Sequence, residues 1–294
     1  MSAPPRPNVI TIDGHAIEYR LQRRGDATAL ILHGGHMSAR CQLGEETFFE
    51  NGYSVLVTSR PGYGRTAVGA GPSAPEFAVR LAGLCRLLDL GNLTVVGISL
   101  GTRSAMTMAA FYPELVQRVI LMCPTSLRLW PDPRVRRLAY AAFAPGVQRV
   151  TWGTVHRFLR KAPEKHLASI LASLTTLDGE VAVRRLGADV GKVTEFLLSC
   201  QSGRGFLIDL RAATDASGDV AQPTLILATR NDGAVSFDHA EYLSRRCPTR
   251  HSSRSARPPT CCGWVDRIAL LQQSRPSSRP EAHHRSRNSE RVRH

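Results

Sequence analysis

Lysine is almost absent from this chain. Lys161, Lys165 and Lys192 are the whole complement, so 35 of the 38 basic residues are arginine. Long apolar runs are missing too; none approaches the length needed to cross a bilayer, which argues against a membrane partner. The start, Met1-Ser2-Ala3-Pro4-Pro5-Arg6-Pro7, has no apolar stretch behind a charged segment and reads as no secretory leader. The cysteines lack a pairing pattern. Cys41, Cys85, Cys123, Cys200, Cys247, Cys261 and Cys262 are odd in number and, apart from the last two, scattered. Free thiols in a reducing compartment are expected, hence a cytoplasmic location. No metal site and no cofactor is expected.

A formal charge of +14 raises nucleic acid as a partner. Its distribution weakens that idea. Residues 249–294 carry ten arginines against three acids, so half of the surplus sits in the last 46 residues. That segment has only Trp264 to stack on a base, and no nucleic-acid partner is expected. The arginine-for-lysine bias points to a GC-rich coding sequence.

Several stretches carry structure. Val9-Ile10-Thr11-Ile12 and His15 to Arg20 flank Asp13-Gly14, a hairpin signal. Ala29 to Leu32, Tyr53 to Val57, Leu93 to Ile98 and Val119 to Met122 are short apolar runs, as expected of buried parallel strands. Between them lie helical patterns at Cys41–Asn51, 73–90 and Ala105–Phe111. Strand and helix therefore alternate to residue 124, which predicts a parallel sheet covered on both faces. From Thr125 to about Gly218 the alternation stops, and helical patterns follow one another over 134–143, 147–160, 166–174, 180–188 and 193–200. A strand pattern resumes at Pro223 to Ala228, with a helix over 237–245. After Cys247-Pro248 no strand is expected.

The organising motif is Gly97-Ile98-Ser99-Leu100-Gly101, entered by a β-branched run and left by a helix. A strand that turns sharply into a helix puts the serine in a strained conformation, and only glycines two residues to either side leave room for the chain. The turn exposes a hydroxyl beside a helix N-terminus, where negative charge is favoured. The competing reading is an ordinary crossover with a serine cap. Other groups have bland readings as well: His156 and His166 as core or surface helix histidines, Trp130 and Trp152 as packing residues or pocket walls.

Across about residues 8–250 the chain resembles the serine α/β-hydrolase family of the capped kind. The motifs that carry the resemblance are His33-Gly34-Gly35, Arg60-Pro61-Gly62-Tyr63-Gly64, Gly97 to Gly101, and Asn231-Asp232 after a late strand. It implies an α/β fold with a mostly parallel sheet, a hydrolase core over 1–124 and 218–248, an all-helical cap over 125–217, and a basic tail over 249–294. It implies Ser99 as nucleophile, the amides of Gly35 and Leu100 as oxyanion hole (His36 if the loop sits one residue off), and Asp232 as the acid that orients a histidine. Arg60 and Tyr63 are expected to stabilise their loop. A serine nucleophile implies acyl transfer, hence a small-molecule acyl substrate such as an ester.

The family places its histidine after one more strand. Here the pattern fails. His251 comes only 19 positions past Asp232, and His283 and His284 lie in the arginine-rich tail. Re-reading each codon one base early turns Thr260-Cys261-Cys262-Gly263-Trp264-Val265 into a pattern compatible with His-Leu-Leu-Trp-Leu-Gly, 28 positions past the acid. A shifted reading frame beginning between about 245 and 255 is one explanation; a genuine basic tail without apolar content is the other. The expectation is a serine hydrolase fold whose catalytic base is missing in the chain as written. The alternative is a hydrolase fold that binds a ligand or partner without turnover.

Overall fold

A computed structural model describes residues 6–71, 73–126, 130–211 and 219–247, together with the backbone of 249–252. Eight strands form one sheet in the order β1-β2-β4-β3-β5-β6-β7-β8. β1 (Asn8–Ile12) and β2 (His15–Gln22) make the antiparallel hairpin, with Asp13 (φ 48°) and Gly14 (φ 77°) at its turn. β2 runs antiparallel to β4 (Ser54–Thr58). From there β4, β3 (Thr28–Leu32), β5 (Leu93–Ile98), β6 (Val116–Met122) and β7 (Thr224–Leu227) are all parallel.

Every residue of β3, β4 and β5 is buried, which explains why these strands read as unbroken apolar runs. Successive side chains still go to opposite faces. Leu30, Leu32, Leu56 and Val95 pack on α2 (Ala74–Leu87) and α3 (Thr102–Phe111). Ala29, Ile31, Val57 and Val96 pack on the other side with Phe48 of α1 (Glu46–Glu50).

Between β6 and β7 the chain makes α4 (Pro133–Ala142), α5 (Val147–Lys161), α6 (Pro163–Leu174), α7 (Gly179–Leu186), α8 (Val190–Ser199) and α9 (Gly205–Arg211). Leu159, Leu167, Leu171, Ala182, Leu186, Val193 and Leu197 give this region an apolar cluster of its own. α10 (Phe237–Ser244) follows β7.

Three expectations need correction. The helix expected over 41–51 shrinks to α1. Gly44 has φ 73°, the Glu45 carboxylate accepts from Leu43 N–H, and the same side chain pairs with buried Arg20. A side chain drawn back in that way stops a helix from starting earlier. Second, α9 was not expected at all, because seven residues give too short a period to read. Third, a strand does follow Cys247: β8 (Thr249–Ser252) pairs in parallel with β7. It contains no apolar residue, so no local pattern announces it. Its position is set by the unpaired backbone edge of β7.

Candidate active site

The chain turns from β5 into α3 at Ser99, whose φ of 49° lies in the left-handed region. A Cβ on Gly97 would meet Ala105 Cβ at 2.7 Å and Thr102 Cα at 2.9 Å. One on Gly101 would come within 2.1 Å of the Leu32 carbonyl oxygen and 2.7 Å of that of His33. Both glycines are thus required by contact. The strained residue is held by its own carbonyl, which accepts from Thr102 Oγ1 (2.7 Å), Thr125 Oγ1 (3.0 Å) and Thr125 N–H (3.3 Å). Ser99 is half-buried, and its hydroxyl has no hydrogen-bond partner among the described residues.

The loop after β3 lies against this turn. A Cβ on Gly34 would sit 3.2 Å from Ser99 Cβ, and one on Gly35 3.0 Å from Leu100 Cδ1. Buried Arg60 fixes the loop: Nε donates to the His33 carbonyl (2.7 Å) and Nη2 to that of Gly34 (3.1 Å). In a trans peptide, the Gly35 N–H points opposite to the Gly34 carbonyl, and so away from Arg60. That N–H makes no hydrogen bond to another described residue.

Arg60 is itself held in a fork. Its Nη1 and Nη2 reach Asp209 Oδ1 (2.6 Å) and Oδ2 (2.8 Å), and Tyr63 OH donates to Oδ2 (2.5 Å). Burial opposes the charge on Arg60, but Asp209 outweighs it and the guanidinium is held above its ordinary range. Burial and Asp209 together push the Tyr63 phenol up. Arg60 and Tyr63 therefore brace the loop, as expected. Their partner Asp209, on α9, was missed; 149 positions separate it from Arg60, and no local pattern links them.

His36 follows in the left-handed region (φ 65°). Its ring packs on Phe206 (centroids 4.0 Å), Phe143 (4.6 Å) and Trp152 (5.4 Å), so Trp152 is a wall residue beside the β3 loop. Trp152 Nε1 donates to Ser202 Oγ (2.8 Å), which leaves the Ser202 hydroxyl to donate to His36 Nδ1 (2.7 Å). Burial lowers the His36 pKa to about 4, and the ring is neutral at pH 7. His33, fully buried, is likewise lowered to about 4 by burial. His156 packs at a tilt against Trp152 and His166 stacks on Phe158, as packing residues. Trp130 joins the cluster around Tyr63, Leu100, Phe206 and Leu210.

Asp232 lies five positions past β7. Its Oδ1 accepts from Ala234 N–H (2.9 Å) and Val235 N–H (2.8 Å), and Cys123, just past β6, bonds to the carboxylate. Burial raises its pKa against the pull of those bonds. The loop is laced to the cap: Thr175 Oγ1 and Thr176 N–H donate to the Asn231 carbonyl (2.7 and 3.0 Å), and Gly233 N–H to that of Leu174 (3.1 Å). Ser99, the His33–His36 loop, Arg60 and Asp232 all follow the carboxyl ends of parallel strands, where such sheets carry their sites.

The histidine candidates fare differently. His251 is in β8, level with Leu225, hence with Ile120 of β6 and Val96 of β5. Val96 is three residues before Ser99, so His251 is set about 10 Å back along the strand direction. His283 and His284 lie outside the described residues, as does position 260. A histidine that the sequence did not single out, buried His239 of α10, accepts at Nδ1 from Ser126 N–H (3.0 Å), one residue past the threonine that holds Ser99. Among the described residues no cluster of three His, Cys, Asp or Glu side chains could hold a metal. No described helix is long and apolar enough to cross a membrane.

Comparison with known proteins agrees with this geometry. The hydrolase YcgS of Bacillus subtilis is 29% identical over 243 residues, 81% of this chain and 85% of that one. The 2-(acetamidomethylene)succinate hydrolase of Mesorhizobium japonicum is 30% identical over 182 residues, 60% of this chain and 61% of its own length. Among solved structures, an alpha/beta hydrolase fold protein from Nakamurella multipartita superposes with a TM-score of 0.70 at 18% identity, covering 83% of this chain and 89% of that one. The enol-lactonase of Burkholderia xenovorans does so at 0.67 and 15%, covering 90% and 97%. Hydrolases among the relatives support a hydrolase function. The family model for the alpha/beta hydrolase fold matches residues 30–259, and the chain belongs to that family.

Proposed function

We propose that the protein is built as a serine hydrolase for a small ester or related acyl compound, with Ser99 as nucleophile. The observation that carries this reading is the turn at Ser99: a left-handed serine between two glycines that admit no side chain, with an unengaged hydroxyl and the Gly34–Gly35 backbone pressed against it. Ser99 Oγ would add to the acyl carbon while a base takes its proton. The carbonyl electrons would move onto oxygen, where the Gly35 and Leu100 amides stabilise the charge. Each such donor is worth about 3 kcal/mol in comparable sites. Collapse would expel the alcohol with that proton and leave an acyl-serine for water to cleave. Asp232 would orient the base.

The base is the open place. β8 ends at Ser252, and the family histidine belongs in the segment after it. Position 260 is the slot that a shifted reading frame would fill. We therefore expect little turnover from the chain as written, since loss of one triad member leaves only binding and the oxyanion hole to act. Hydrolysis of a short-chain p-nitrophenyl ester, with Ser99→Ala as control, tests this. Ser99-dependent turnover at enzymatic rates would mean that His251, His283 or His284 serves as base, and would overturn the inactivity. Reading the gene across codons 240–265 tests the shifted frame directly. The second reading, a ligand-binding hydrolase fold without turnover, is favoured by the register of His251. It predicts saturable binding of acyl compounds with no burst of product.

A further inference from the structure

In the cap, a cleft of about 450 Å³ is lined by Pro133, Arg136, Arg137 and Tyr140 of α4 and by Leu210 and Arg211 of α9. Three of its six lining residues are arginines. None of the three forms an ion pair with a described residue. The one acid on α9, Asp209, is committed to Arg60 and Tyr63. The guanidinium of Arg211 lies over the Tyr140 ring, 6.0 Å from its centroid. Three like charges facing one cleft repel one another unless an anion joins them, and guanidinium groups match a carboxylate in paired, planar hydrogen bonds.

One apolar cluster links the cleft to the candidate site. Leu210, part of the cleft's lining, is buried in a cluster with Leu100, Tyr63 and Phe206, and Tyr140 and Phe143 pack on that cluster. Leu100 is the residue after Ser99. A substrate held at both Ser99 and the arginines would span this cluster.

We propose that this cleft binds a carboxylate remote from the scissile group, so that the substrate is a half-ester or comparable acyl compound with an anionic tail. The assignment deepens the acyl-hydrolase reading and rests on it. The test is made to separate the two. Binding is measured by calorimetry on Ser99→Ala protein, which needs no turnover, with monomethyl adipate and neutral dimethyl adipate as probes. The double variant Arg136→Gln/Arg137→Gln is built on the same background. Arg137 of α4 is exposed and Arg136 half-buried, and glutamine has nearly the helix propensity of arginine, so the fold is kept; an unchanged melting temperature checks this.

The half-ester should bind at least about tenfold more tightly than the diester at low salt, and the advantage should vanish in the double variant while diester binding stays the same. Equal binding of the two probes, or a preference that survives the double variant, overturns the proposal. If the half-ester preference holds but a chain with its frame corrected gives no Ser99-dependent turnover and no labelling by a fluorophosphonate, the acyl-hydrolase reading fails and the anion site stands.

Discussion

The loops after β5 and β7 carry the two side chains expected to work together, and they are built in opposite ways. The Ser99 turn is fixed by steric exclusion. Its glycines touch core backbone, its carbonyl is held by two threonines, and its hydroxyl is left free. The Asp232 loop is fixed by hydrogen bonds. Its carboxylate is partly spent on its own backbone, and its carbonyls and amides reach outward to the α6–α7 turn of the cap. Core geometry therefore sets the serine, whereas the acid is placed by the cap as much as by the sheet. A perturbation of the cap should move the acid and leave the serine where it is.

The largest test of this contrast is the brace shared by core and cap. Arg60→Ala would leave Asp209 buried beside Tyr63 without a countercharge. Breaking a buried pair of this kind costs about 3–5 kcal/mol. Denaturant unfolding of the variant should show a loss of that size. A loss under about 1 kcal/mol would mean that the fork does not hold the β3 loop.

Next come the glycines. Gly101→Ala places a methyl 2.1 Å from the Leu32 carbonyl, against backbone that cannot yield without opening β3 from the turn. A cost of about 3 kcal/mol or more is expected. Gly233→Ala, on the other loop, meets Thr175 backbone at 2.9 Å. The cap turn can shift there, so the cost should be smaller, about 1 kcal/mol. The same urea series checks both, and equal losses would erase the distinction between the loops.

Acid should act on the serine side. His33 is buried among Glu45, Arg20 and Arg60, with its pKa at about 4 against 6.5 when free. Between those values the unfolded chain binds the extra proton, so stability falls as pH drops from 6.5 toward 4. From pH 8 to pH 5 this one group should cost about 2 kcal/mol. Neutral His36 adds to the same trend in the same direction. Urea midpoints at the two pH values measure the slope, and His33→Asn should flatten it.

How much of this was legible follows the same division. The Gly97 and Gly101 positions, the all-apolar β3 to β5 strands and the Asp13-Gly14 turn were readable because local sterics or burial on both faces dictates residue type. The hidden parts depend on partners far along the chain. Asp209 matters only because Arg60 faces it, and Thr125 only because the Ser99 carbonyl needs a donor. β8 exists because β7 has an edge to pair, and nothing in Thr249-Arg250-His251-Ser252 itself asks for a strand. His251 is one of the residues of that ladder.

The smallest effect separates the two uses of Asp232. Its Oδ1 accepts two backbone N–H groups, a task that an amide oxygen can also perform. Asp232→Asn should therefore unfold within about 0.5 kcal/mol of the parent, whereas Asp232→Ala frees both donors and should cost about 1–2 kcal/mol. If the carboxylate also orients a catalytic base, a chain with its frame corrected should lose most of its turnover in the asparagine variant, at unchanged stability. Equal activity of that variant and its parent would reduce Asp232 to a turn residue, and the acid would then have to be sought elsewhere on the same edge of the sheet.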